Sequence, residues 1–240
     1  MLKATGDVEY APTVKIAHVG NLTIQGMTID YIHSQHTAGS EKKRAAVVKK
    51  NAKELSNNPG ILIRADQLTL TGCTLGMVNK SASKPYRVFV TDTDFQLSNF
   101  SNKFSQGPAK AQLKAKFMGS GITTASANFR PEKSGPDFDL NVKIEDTQLT
   151  AINHLLRAYG NFDVSAGVFS LISEIHVKND AISGYIKPLF KKMKVYDRRR
   201  DKDRSIFHQL YGMLIGGVAK ILENSPQQKV ATKTDITGTV

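Results

Sequence analysis

Residues able to do chemistry are sparse in this chain and poorly grouped. His33 and His36 stand in H-x-x-H spacing, which puts two metal ligands one helical turn apart, but no further histidine and no carboxylate at a helix-compatible distance completes a set. Cys73 is the only cysteine, which excludes an intramolecular disulfide and leaves a lone thiol with no base nearby in sequence. Asp92 and Asp94 fall on one strand face, as a general acid and base would. Their neighbours Thr91 and Thr93 read as exposed strand residues, so a solvated face is the expectation. Gly119-x-Gly121 lacks the third glycine of a dinucleotide loop and sits between two strand patterns, where a hairpin turn is expected. There is no G-x-S-x-G elbow, no Walker loop and no Ser/His/Asp set. The expectation is a non-enzymatic protein with no cofactor and no bound metal.

The elements that would carry any site are mostly strands. In "DFDLNVKIED", Phe138, Leu140, Val142 and Ile144 point one way, and Asp139, Asn141, Lys143 and Glu145 the other. "AQLKAKFMG" repeats the pattern, with Leu113, Ala115 and Phe117 against Lys114 and Lys116. Strict alternation of this kind marks a half-buried antiparallel strand. Similar runs occur near 13–19, 22–32, 61–71, 86–97, 121–130, 168–178, 181–187 and 190–196. In 61–71 the apolar parity slips from Ile61 and Ile63 to Leu68 and Leu70, which predicts a bulge around Ala65-Asp66. Helices are expected at about 41–55, 148–158 and 203–223. The fold class that follows is mainly β: a large twisted or curved antiparallel sheet, groove-like, with a few packed helices. One β-rich domain spans 1–240, and its abrupt strand-like start suggests a piece of a longer chain.

The net charge of +12 is concentrated in two segments. Residues 41–54 carry six basic and two acidic groups, and residues 187–204 carry nine and three. Such segments suit an anionic surface, either phospholipid headgroups or nucleic acid. Nucleic acid is not the expected partner, because Phe117, Phe138 and Phe169 sit among aliphatic residues at core spacing instead of on an exposed basic face. The stretch "SGYIKPLFKKMKV" at 183–195 reads as two short strands hinged on Lys187-Pro188. Pro188 would begin a strand or lie on an edge, with Ile186, Leu189 and Phe190 turned inward. Lys191, Lys192 and Lys194 would blunt that edge or meet phosphate headgroups.

From about residue 60 onward the order of segments resembles that of AsmA-like bacterial envelope proteins, the domain of unknown function 748 type. The features are "RP...GPDFDL" at Arg130–Leu140, "AYGNFDV" at Ala158–Val164, "G.FSL.SE" at Gly167–Glu174 and "G.IKPLF" at Gly184–Phe190, followed by "ENSPQQKVATK" at 223–233. The resemblance implies a β-rich periplasmic protein of a Gram-negative bacterium, inner-membrane tethered in its full-length form. In longer relatives a greasy concave face would hold acyl chains. It nominates phospholipid or a membrane surface as partner, along with neighbouring envelope proteins. Candidate lipid-binding residues are Phe117, Phe138, Leu140, Val142, Ile144, Phe169 and Leu171, and candidate headgroup or edge residues are Lys187, Lys191, Lys192 and Lys194. A scaffolding domain that pairs sheet edges and takes no lipid is the competing expectation.

Overall fold

The protein is described by a computed structural model over residues 2–10, 15–132, 135–159, 163–179, 181–195 and 233–239. It is mainly β. Among the described residues, eleven strands form one open sheet: β1 (Leu2–Tyr10), β2 (Lys15–Gln25), β3 (Thr28–His33), β4 (Ile61–Asn79), β5 (Tyr86–Ser101), β6 (Ala109–Phe117), β7 (Gly121–Glu132), β8 (Gly135–Gln148), β9 (Val164–Lys178), β10 (Ala181–Val195) and β11 (Thr234–Thr239). They stand side by side in the order 1-2-4-5-6-7-8-9-10-11, with β3 beside the far half of β4. Apart from two parallel pairings, of β2 and of β3 with β4, neighbours run antiparallel, so the sheet is mixed. Alternation alone could not reveal this, since it records which face is buried and not the direction of the neighbour.

A helix explains the parallel pairings. After β3 the chain turns into α1 (Gln35–Leu55), which returns it to the start of β4 in a β–α–β crossover. Ser34 caps this helix. Its backbone N–H donates to Thr37 Oγ1 at 2.9 Å, and the Thr37 N–H donates to Ser34 Oγ at 3.3 Å, a reciprocal exchange that satisfies two orphan donors. The helix thus begins six residues earlier than its Ala/Lys/Glu-rich stretch suggests. It stops where Asn57 takes a left-handed φ of 53° and donates its N–H to the Asn102 carbonyl at 2.7 Å. Asn102 closes the joint by donating through Nδ2 to the carbonyls of Leu55 and Ile61.

From β4 to β10 the sheet is an antiparallel meander. Register is continuous from β6 through β7 into the first part of β8, while bulges interrupt β4, β5, β8 and β10. Each inserts a residue that breaks the alternation, and Asp92, Asp146 and Lys192 take positive φ at or beside these breaks. The bulge expected at Ala65-Asp66 is not an insertion. Register runs unbroken from Arg64 to Leu70, the ladder merely omits Asp66 itself, and the true shifts flank Cys73. The turn at Met118–Ser120 is the expected hairpin, with positive φ at Met118 and Gly119.

Two further readings are corrected. Residues 181–195 form one strand, not two hinged at Pro188, because the β9 ladder runs through Pro188 paired with Leu171. Among the described strands β11 stops pairing at Ile186, so beyond that point no described strand needs the N–H that Pro188 lacks. Leu189 pairs with Ser170, between Pro188 and Phe190, so it points to the opposite face from Ile186 and Phe190. Thr93 is fully buried, not exposed: the Asp92 bulge turns it to the side of Cys73. The helix expected at 203–223 lies outside the described residues.

Candidate functional site

Cross-strand pairing assigns every side chain to a face, because directly paired residues point the same way. Two rows of one face are apolar almost across the sheet. The first runs Leu22, Leu68, Leu97, Ala111, Ala127, Leu140, Ile175, Gly184, Ile236. The second runs Ile24, Leu70, Phe95, Leu113, Ala125, Val142, Ser173, Ile186. Ser173, the polar member, donates its hydroxyl to the Tyr185 carbonyl at 3.0 Å and so adds no unpaired group to the row. From β2 to β9 each row spans about 29 Å at the usual interstrand spacing. That is about twice the ~15 Å filled by the acyl chains of one bilayer leaflet.

The relief of this face is uneven. On β6 and β7 the rows carry Ala111, Ala125 and Ala127, while Phe95 and Leu97 stand on one side and Leu140 and Val142 on the other. The result is a shallow strip floored by alanine and walled by larger side chains. Its members are half-buried. The strip was missed from sequence, although its signal was present in the alanines that fall on the inward positions of otherwise polar strands.

One end of the apolar face is plugged. Between β8 and β9 the chain forms a 3₁₀ turn, Leu149–Ile152, and α2 (Asn153–Tyr159). Leu149, Ile152 and Leu156 are buried there with Met118, Val164 and Phe169. Asn153 clamps the return: it donates to the Val164 carbonyl and accepts from the Val164 N–H, each at 2.9 Å. At the outer end of α2 the Tyr86 and Tyr159 hydroxyls share a 2.8 Å hydrogen bond, and Asn79 donates to Tyr86 at 3.0 Å. Partial burial, and then the bond to Tyr86, push the Tyr159 hydroxyl up to about 12, so it stays neutral.

The seven candidate lipid-binding residues all fall on the apolar face, in three settings. Phe169, fully inside, and Phe117 pack under the α2 plug. Phe138 and Leu140 lean on a second core of Ile175, Val177, Ile182, Ile186 and Ile236, and Leu171 touches both cores. Ile144 is buried and Val142 half-buried opposite Ala125, so Val142 and Leu140 are the candidates that border the alanine strip.

The opposite face is polar and largely self-paired. Lys116 reaches Asp92 at 2.9 Å, Lys143 reaches Glu145 at 2.9 Å, and His176 bonds Asp139 at 2.5 Å. His33 does not join His36 in a metal site. It bonds Glu41 of α1 at 2.7 Å, and no cluster of three potential metal ligands exists among the described residues. Hydrogen bonds from Thr37 first, and also from His33 and Tyr31, hold the Glu41 carboxyl below its ordinary range. Asp66 is likewise lowered, by Arg64 first and then His18. Asp94 accepts from the Gly72 N–H at 3.2 Å, which anchors the neighbouring strand at its bulge.

Gly76 makes a further tie possible. Arg87 crosses over it to bond Asp30 at 2.9 Å while stacking on Phe89 at 4.5 Å, and a Cβ on Gly76 would collide with the Asp30 carboxylate. Gly76→Ala should therefore displace Asp30 and loosen β3 from β4. Faster amide exchange over Thr28–His33, with β6–β9 unchanged, is the expected readout.

Lys191 and Lys192 are consecutive and both exposed, because the bulge at Lys192 suspends the alternation. Met193 returns to the core and Lys194 is exposed again. Lys187, half-buried, lies one residue beyond the last pair with β11. No helix among the described residues is long and apolar enough to cross a membrane. Comparison with protein-family models, with curated proteins and with solved structures finds no match for this chain.

Proposed function

We propose that this protein is a non-enzymatic cell-envelope component that holds or passes phospholipid acyl chains on the apolar face of its sheet. The observation that carries the proposal is the pair of apolar rows crossing from β2 to β9 over the alanine strip. Continuous apolar surface of this kind is unfavourable against water and is normally either core or binding site. The AsmA-like order of motifs supports an envelope setting, the periplasm of a Gram-negative bacterium. A second reading, a scaffold that extends its sheet into neighbouring envelope proteins, is favoured by the open order of the strands, which leaves the outer edges of β1 and β11 unpaired within the described sheet.

Native mass spectrometry of the purified chain separates the two. The lipid-binding form retains phospholipid and takes it up again after delipidation, whereas the scaffold is lipid-free and oligomerises. Ala127→Phe fills the strip and is expected to lower uptake at least tenfold with little change in stability. If the chain's own side chains already fill the strip, the same substitution overpacks it and costs about 1–3 kcal/mol. That loss, together with unaltered uptake, would sink the proposal.

A further inference from the structure

Large apolar side chains exposed singly need no explanation, but here they are grouped. Among the described residues eight such side chains are conspicuously exposed, and six of them lie at the end of the sheet that α2 plugs. Ile29, Tyr31 and Ile32 are on β3, which pairs with the last part of β4, where Met77 is exposed beside Tyr31. Ile122 is 62% exposed just past the Met118–Ser120 turn, and Tyr159, 58% exposed, ends α2. The antiparallel order brings all these positions to one rim, because the end of β4, the starts of β5 and β7 and the ends of β6, β8 and β10 coincide there. The other two are Val19, midway along β2, and Val47 on α1.

The same rim carries surplus positive charge. Lys191, Lys192 and Lys194 are exposed at the end of β10, and Lys80 is exposed just after β4. Most acids nearby are already engaged: Asp30 by Arg87, Asp92 by Lys116 and Asp163 by Arg157. Among the described residues Asp146, exposed at the β8 bulge, is the exception.

From this arrangement we propose that the α2 end of the sheet is a docking rim for an anionic lipid bilayer. Exposed aliphatic and tyrosine side chains would enter the headgroup layer, and the lysines would meet phosphate. Apolar tips beside exposed ammonium groups suit a bilayer surface. A nucleic-acid surface would call for exposed rings free to stack on bases, whereas Tyr159 is already engaged with Tyr86, their rings tilted by 55°. The proposal deepens the acyl-chain reading by naming where lipid would enter. It is tested by a different readout, since surface docking and lipid retention are measured separately.

The chain contains no tryptophan, so a single introduced one reports without background. Ile122→Trp on the rim is compared with Val19→Trp in mid-sheet, a position also exposed, at 37%. Both are mixed with vesicles of phosphatidylcholine alone, or of phosphatidylcholine with phosphatidylglycerol. The expected result is a blue shift for Ile122→Trp on the anionic vesicles only, and none for Val19→Trp. Replacing Lys191, Lys192 and Lys194 by Gln should lower anionic-vesicle binding by about a hundredfold, at about a factor of five per lysine. Identical behaviour of the two probes, or tighter binding to a labelled oligonucleotide than to vesicles, overturns the proposal. So does unchanged vesicle binding by the triple variant with new self-association, which would make the lysines edge guards.

Discussion

Leu156→Ala is expected to cost about 3–5 kcal/mol of folding stability, seen as a lower denaturant midpoint. Leu156 is fully buried and meets Leu149, Ile152, Met118 and Phe169, so truncation removes transfer energy and leaves a cavity. The effect should lie near the top of that range because α2 has seven residues, too few to persist as a helix without its packing. Once loosened, α2 also gives up the Tyr86–Tyr159 hydrogen bond, and the tyrosine pKa of about 12 should fall back toward its ordinary value. Leu155→Ala, at the adjacent half-buried position, serves as a control and should cost under about 1 kcal/mol.

The second large effect is Gly184→Ala. Gly184 has φ 153°, and a Cβ there would run into the Glu174 carbonyl oxygen and lie 2.9 Å from Ile175 Cα. Both obstacles are backbone atoms of the paired strand β9, so no side chain can swing away to make room. β9 and β10 would have to part where Gly184 also pairs with Ile236 of β11. The expected loss is at least about 3 kcal/mol, from strain and broken ladder together. Protection of Thr234–Thr239 in hydrogen exchange should vanish before that of β6–β8. Ile182→Val, on the same strand and face, should cost only about 0.5–1.5 kcal/mol.

Much of the sheet could be read from the chain because period-two alternation is a local record of burial. Phe138 to Ile144 declared their face within one strand, and that face is the apolar one. What escaped were features set by residues far apart. The parallel neighbours of β4 depend on a crossover through α1, which no single strand announces. The burial of Thr93 follows from the bulge at Asp92, where two consecutive residues lose the alternation that the sequence invites one to assume. β11 is six residues with two threonines at its ends, too short for its alternation to be noticed. At the candidate site, the apolar stripe of residues 148–158 was visible. That it would cover Phe169 and Phe117 while leaving Leu140 and Val142 beside an alanine strip was a matter of tertiary placement.

The β2–α1–β4 crossover bears on the order in which the molecule assembles. Every pair in both parallel ladders is separated by the same 46 residues, from Lys15 with Ile61 to His33 with Asn79, so β2 and β3 are one interrupted strand laid against β4 in a single register. Closing a loop of that length must be offset before any of its contacts form, whereas β4 to β10 can zip from hairpin to hairpin. The meander is therefore the natural nucleus, and β1 to β3 with α1 are the late and first-lost unit. During synthesis β1 and β2 can pair with each other, but β3 emerges before β4, its partner in the described sheet. Its exposed Ile29, Tyr31 and Ile32 are then open to whatever apolar surface is nearest.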